Sequence, residues 1–106
     1  MERGKGKPPL VHLVDAVEDA RAISRWYELR SERACGQFRE SLAAAVEKVL
    51  AYPASGKRGP CGTRSILLHR FPYRVVYRSY SNLIMVVAIA HTSRRPGYWR
   101  SRVASE

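Results

Sequence analysis

The chain has 106 residues, 45% of them hydrophobic, and its 19 Lys and Arg against 9 Asp and Glu give a formal charge of +10. That length fits one domain and excludes two, and the hydrophobic share excludes a disordered polycation. The charge is uneven: residues 1–47 hold eight bases and eight acids, whereas residues 48–105 hold eleven bases and no acid, a balance suited to a polyanion or an acidic protein.

Residues 1–9 (MERGKGKPP) are polar, basic and rich in Gly and Pro, and read as a flexible arm before a single domain over 10–106. Residues 10–14 (LVHLV) are a short apolar run and a predicted strand. Asp15 and Glu18 have capping-box spacing and predict a helix start. Val17, Ala20, Ile23 and Tyr27 then share one helical face. The pattern breaks near Ser31, and a second helix carries Ala34, Phe38, Leu42, Ala45, Val46 and Val49 in phase, so the pair forms a hairpin. Residues 51–63 (AYPASGKRGPCGT), with two Pro and three Gly, read as a loop and lack the phosphate-binding pattern G-x-x-x-x-G-K-[ST].

After that loop the period changes to two. Residues 64–70 are a predicted strand, and Phe71-Pro72 marks a turn. Over 73–80, Tyr73, Val75 and Tyr77 point one way and Arg74, Val76 and Arg78 the other. Ser81-Asn82 turns the chain into residues 83–91, whose almost unbroken apolar run predicts a strand buried on both faces. Residues 94–102 form a basic, aromatic tail. The order β-α-α-β-β-β predicts an α+β fold, an antiparallel sheet with the helical hairpin on one face and Arg74 and Arg78 on the other.

Cys35 and Cys61 belong to no C-x-x-C pair, and His12, His69 and His91 are scattered, so no zinc spacing arises. Unpaired thiols fit a reducing compartment, and no signal-peptide or membrane-spanning run is present, so the expected location is the cytoplasm. Fifteen of the 19 bases are Arg, whose planar fork matches phosphate and carboxylate. Arg70, Arg94 and Arg95 are expected to converge on the face that carries Arg74 and Arg78. His91 reads either as a structural residue or as a proton-transfer group. Tyr98-Trp99 reads either as cover for the sheet or as a stacking surface, with the Tyr hydroxyl a possible proton donor. With no carboxylate in 48–105, no metal and no cofactor are expected, and any catalysis must use Arg, His and Tyr.

The run His69-Arg70-Phe71-Pro72-Tyr73-Arg74-Val75-Val76-Tyr77-Arg78, the apolar strand ending Ala90-His91, and Arg94-Arg95-Pro96-Gly97-Tyr98-Trp99 together resemble the RelE/ParE superfamily. These are the toxins of bacterial type II toxin–antitoxin modules, and the likeness is to their plasmid stabilisation branch over about residues 10–102. The resemblance implies the same β-α-α-β-β-β fold, growth inhibition, and a cognate acidic antitoxin as partner. The activity expected from it is metal-independent cleavage of messenger RNA on the ribosome (an mRNA interferase), with inhibition of DNA gyrase without catalysis as the alternative. A non-toxic interaction domain of the same fold is a further alternative. For the nuclease, the resemblance matches Arg74, then Arg94 or Arg95, and Tyr98 to catalytic positions. The lysine pair of RelE-like members falls on Ser65 and Leu67, so His91, or else His69, stands in as base. The expected site is therefore Arg74, His91, Arg94, Arg95 and Tyr98, with RNA contacts from Arg64, His69, Arg70, Arg78, Trp99 and Arg100.

Overall fold

The acid-free half folds mainly as a meander laid beside the helical hairpin. The structure, a computed structural model, describes residues 8–104; of the arm expected at 1–9, residues 1–7 lie outside the described residues. The elements are β1 (Leu10–His12), α1 (Val14–Glu28), α2 (Glu32–Ala51), β2 (Lys57–Arg58), β3 (Thr63–Leu67), β4 (Tyr73–Ser79), β5 (Ile84–His91) and α3 (Ser101–Ala104). Five strands form one sheet in the order β1-β5-β4-β3-β2. Among the described residues no helix is long and apolar enough to cross a membrane.

The α+β class and the element order agree with the sequence, but the sheet is mixed rather than wholly antiparallel. β1 pairs with β5 in parallel, with Leu10 opposite Ile84. The hairpin and three strands lie between them in sequence, a connection long enough for parallel pairing. β2 arises inside the expected loop, paired with Ser65 and Arg64 of β3. β3 ends at Leu67 rather than residue 70, because the chain turns through Arg70 at φ 73. The capping-box expectation also fails. The cap position of α1 is Leu13, with no side-chain cap. Leu13 is still bonded to the sheet, its N–H donating to the Val86 carbonyl at 3.0 Å, so the chain passes straight from strand to helix. Asp15 instead lies in the first turn, where a carboxylate meets the positive end of the helix dipole. Ser31 caps α2 as its position suggests, its Oγ accepting the Ala34 N–H at 3.1 Å.

Two cores sandwich the sheet. The helix-side core joins Ala16, Phe38, Ala45 and Val49 to Val75, Tyr77, Ile84, Val86 and Ile89. The opposite core joins Val76, Met85, Val87, Ala88 and Ala90 to Trp99 and Val103 of the C-terminal segment. Pairing of β4 and β5 shifts at Val76/Tyr77, leaving Val87 without an opposite residue and placing it on the same face as Ala88. Tyr77, fully buried, donates to the Pro53 carbonyl at 2.6 Å and accepts the Gly56 N–H at 3.2 Å. A Cβ on Gly56 would stand 2.5 Å from that hydroxyl, which accounts for glycine there.

β1 is only three residues long, so the outer edge of β5 beyond Val86 has no partner strand. Two side chains cover it. Asp19 of α1 accepts the Ile89 N–H at 3.0 Å, and Arg102 of α3 donates to the Val87 carbonyl at 3.0 Å. The two also pair with each other as a fork, at 2.7 and 3.2 Å, with side chains 18% and 17% exposed. Removing Asp19 leaves the Ile89 N–H unpaired and leaves Arg102, 17% exposed, with only the longer 3.7 Å ion pair to Asp15. Asp19→Ala is expected to lower the free energy of unfolding in urea by about 3 kcal/mol. Glu18→Ala, which breaks an exposed 3.7 Å pair with Arg21, should cost under about 1 kcal/mol. Equal losses from the two changes would contradict this role for Asp19.

Candidate functional site

On the face away from the helices the sheet forms the floor of a cleft of about 250 Å³. Arg74 and Val76 of β4 and Ala90 of β5 rise from its floor. Lys57 and Arg58 of β2 line one side, and Arg94, Arg95 and Tyr98 of the C-terminal segment the other. None of the residues that line it is Asp or Glu. Among the described residues no three His, Cys, Asp or Glu side chains cluster as metal ligands.

Each group is fixed by its local structure. Arg74 reaches the neighbouring strand, its Nη1 donating to Ser65 Oγ at 3.2 Å. Ser65 thereby orients the Arg74 guanidinium. The turn after β5 is held by the Arg94 N–H on the His91 carbonyl at 3.0 Å and the Thr92 N–H on the Pro72 carbonyl at 2.8 Å. The chain bends again at Gly97, at φ 77, which a residue without Cβ adopts freely. The Arg94 guanidinium lies 3.8 Å from the centre of the Tyr98 ring, and that of Arg102 lies at 5.7 Å.

The Phe71-Pro72-Tyr73 stretch is structural. Phe71 packs edge-on against Tyr27 and Phe38 of the hairpin at 5.2 and 5.6 Å. Tyr73 continues the contact, 5.7 Å from Phe38 and 5.0 Å from His91. The helical hairpin thereby braces the histidine at the mouth of the cleft.

The proton chemistry of the site follows from these contacts. His91 Nδ1 accepts the Ser93 backbone N–H at 3.0 Å and lies 2.8 Å from Ser93 Oγ. With the amide proton on Nδ1, that nitrogen is taken up by Ser93 and the ring proton sits on Nε2. Burial pushes the Tyr98 phenol above its ordinary value; Asp19 adds to the rise, and Arg102 and Arg94 oppose it. Tyr98 therefore stays protonated at neutral pH.

The structure brings Arg74, His91, Arg94, Arg95 and Tyr98 together in this cleft. Trp99 lines it too, but is only 7% exposed and packed in the second core, so it acts as cover for the sheet and leaves little ring face for a base to stack on. The other expected contacts lie elsewhere. His69 and Arg70 lie beside α2 in a separate hollow with Gln37 and Phe71, because strand alternation and the turn at Arg70 carry them away. His69 thus cannot stand in as base for chemistry in the cleft. Arg64 turns back to the Gly56 carbonyl at 2.9 Å. Arg78, at the other end of β4, lies 5.1 Å from the Tyr80 ring, and Arg100 donates from Nε to the Gly97 carbonyl at 3.2 Å. Sequence reasoning missed Lys57 and Arg58. Their charges stood in the loop at 51–63, and only the pairing of β2 with β3 shows that they form a wall.

Comparison with known proteins gives the same fold. A family model described as the ParE toxin of the type II toxin–antitoxin system parDE matches residues 13–96. A solved structure of a chromosomal ParDE system from P. aeruginosa superposes with a TM-score of 0.71 at 18% identity, covering 82% of this chain and 98% of that one. A mutant of the E. coli toxin RelE in the free state superposes with a TM-score of 0.60 at 18% identity, covering 94% and 97%. No curated protein matches the chain.

Burial also raises the Tyr73 and Tyr77 phenols above the ordinary 10.0, as it does Tyr98. Below that pH these groups are protonated in folded and unfolded chains alike, and their contribution to stability is complete. Above it the unfolded chain loses its phenol protons first, so stability falls. The melting temperature followed by circular dichroism should decline above pH 10.0, and more shallowly in Tyr98→Phe. A rise in that range would contradict the burial of these hydroxyls.

Proposed function

Because the chain belongs to the ParE toxin family of type II toxin–antitoxin systems, we propose that it arrests growth by binding DNA gyrase, without cleaving RNA. A cognate acidic antitoxin neutralises it by covering its basic half. Residues 48–105, with eleven bases and no acid, supply the charge for both encounters in turn.

The observation that carries this reading is the lack of a proton acceptor in the cleft. Attack by a 2′-hydroxyl on its neighbouring phosphate needs a base within hydrogen-bond reach. The arginines remain charged, Nδ1 of His91 is occupied by Ser93, and burial holds the Tyr98 proton in place. Such a cleft holds an anion well and does little chemistry on it. The family match is to ParE as well.

A second reading, the ribosome-dependent mRNA endonuclease, is favoured by one fact: Arg74, His91, Arg94, Arg95 and Tyr98 all line the same cleft. It requires His91 to release Ser93 and move its proton. His91→Gln separates the two, since glutamine keeps a donor and cannot act as a base. Under the binding reading, His91→Gln arrests growth like the wild type, and purified protein inhibits supercoiling by gyrase with potency within a few-fold. Under the nuclease reading, the same change removes a general-base contribution of about 10²–10⁴-fold. New codon-associated 5′ ends by primer extension, abolished by His91→Gln, would overturn the gyrase proposal. Expression without growth arrest would sink both and favour a non-toxic interaction domain.

A further inference from the structure

The cleft does not stop at its own rim. Arg58 and Gly59 also line a second hollow, with Gly62, Thr63 and Arg64, around the sheet edge. Basic side chains thus follow one another from Arg94 and Arg95, over Arg74, to Arg58 at the sheet edge, where the two hollows meet. β2 and β4 are two strands apart, so Arg58 and Arg74 arise from backbones separated by about 10 Å. No Asp or Glu lines either hollow. A compact anion would neutralise one end of this track and leave the other, whereas a polymer with regularly spaced charges matches its length.

The aromatic groups decide which polymer. Recognition of single-stranded nucleic acid relies on exposed rings that stack on splayed bases. Trp99 is buried in the second core, and the Arg94 guanidinium already covers the Tyr98 ring at 3.8 Å. Guanidinium donors for phosphate are abundant, and an open face for a base is lacking. We infer that this track holds the sugar–phosphate backbone of duplex DNA. The inference rests on the gyrase reading for its biological use: it gives the toxin a grip on the DNA that gyrase carries. The DNA contact itself can be tested without the enzyme.

The test is fluorescence anisotropy of the purified chain with a short labelled duplex, titrated at salt concentrations from about 50 to about 200 mM. Each phosphate contact contributes about 0.9 to the slope of log affinity against log salt. Arg58→Ser/Arg95→Ser, at two exposed positions, should lower the slope by about 2 and weaken binding by at least about tenfold. Arg21→Ser/Arg25→Ser removes the same charge from exposed positions on α1 and should change binding by less than about threefold. Circular dichroism checks that both variants fold. Equal weakening by the two pairs would reduce the effect to net charge and overturn the inference. So would tighter binding of single-stranded RNA of the same length, or displacement of the duplex by poly-glutamate at equal charge, which would point to an acidic protein. Gyrase inhibition without duplex binding overturns this inference and leaves the proposed target standing. Duplex binding without gyrase inhibition sustains the DNA contact and removes the target.

Discussion

One carboxylate and one guanidinium close the open side of the sheet. β5 has a partner strand only as far as Val86, and its bulge at Val87 leaves backbone groups that β1 does not reach. Asp19 and Arg102 bond to those groups and to each other. The fork ties α1 to the C-terminal segment, which carries Trp99 and Val103 into the second core. It also sets Arg102 near the Tyr98 ring, and so fixes the far wall of the cleft. An edge left unpaired would invite association with other chains; two charged side chains seal it instead.

With that wall in place, the cleft gathers cations that nothing in its lining neutralises. Like charges held together cost stability unless an anion joins them. Arg74 is steadied by Ser65 and Arg94 by stacking on Tyr98, two neutral partners that fix geometry without reducing charge. The charge of the cleft thus stays uncompensated by any carboxylate in its lining. The pair that does carry a carboxylate, Asp19 with Arg102, lies beneath the segment and not in the cleft lining.

The sequence made much of this legible, where local pattern decides the outcome. Helical spacing revealed both helices, because their apolar faces are what the core buries. Alternation in β4 put Arg74 opposite Tyr73 and Val75, and an unbroken apolar run marked β5 as covered on both faces, which it is. The long-range features were not legible. Parallel pairing of β1 depends on the whole crossover. The wall built by Lys57 and Arg58 depends on a two-residue strand that the composition of its loop conceals. Trp99 sits among arginines in sequence, which left sheet cover and base stacking both open, and only its packing with Val76, Val87 and Val103 decides for cover. The contact of His91 Nδ1 with Ser93 spans only two residues, but it depends on turn geometry that residue types alone do not fix.

The link between Asp19 and Arg102 spans 83 residues. Arg94, Arg95 and Tyr98 lie between the end of β5 and Arg102, so this one clasp joins the first helix to the segment that walls the cleft. A change at Asp19, far from the cleft in sequence, therefore loosens the cleft while leaving its cations in the chain.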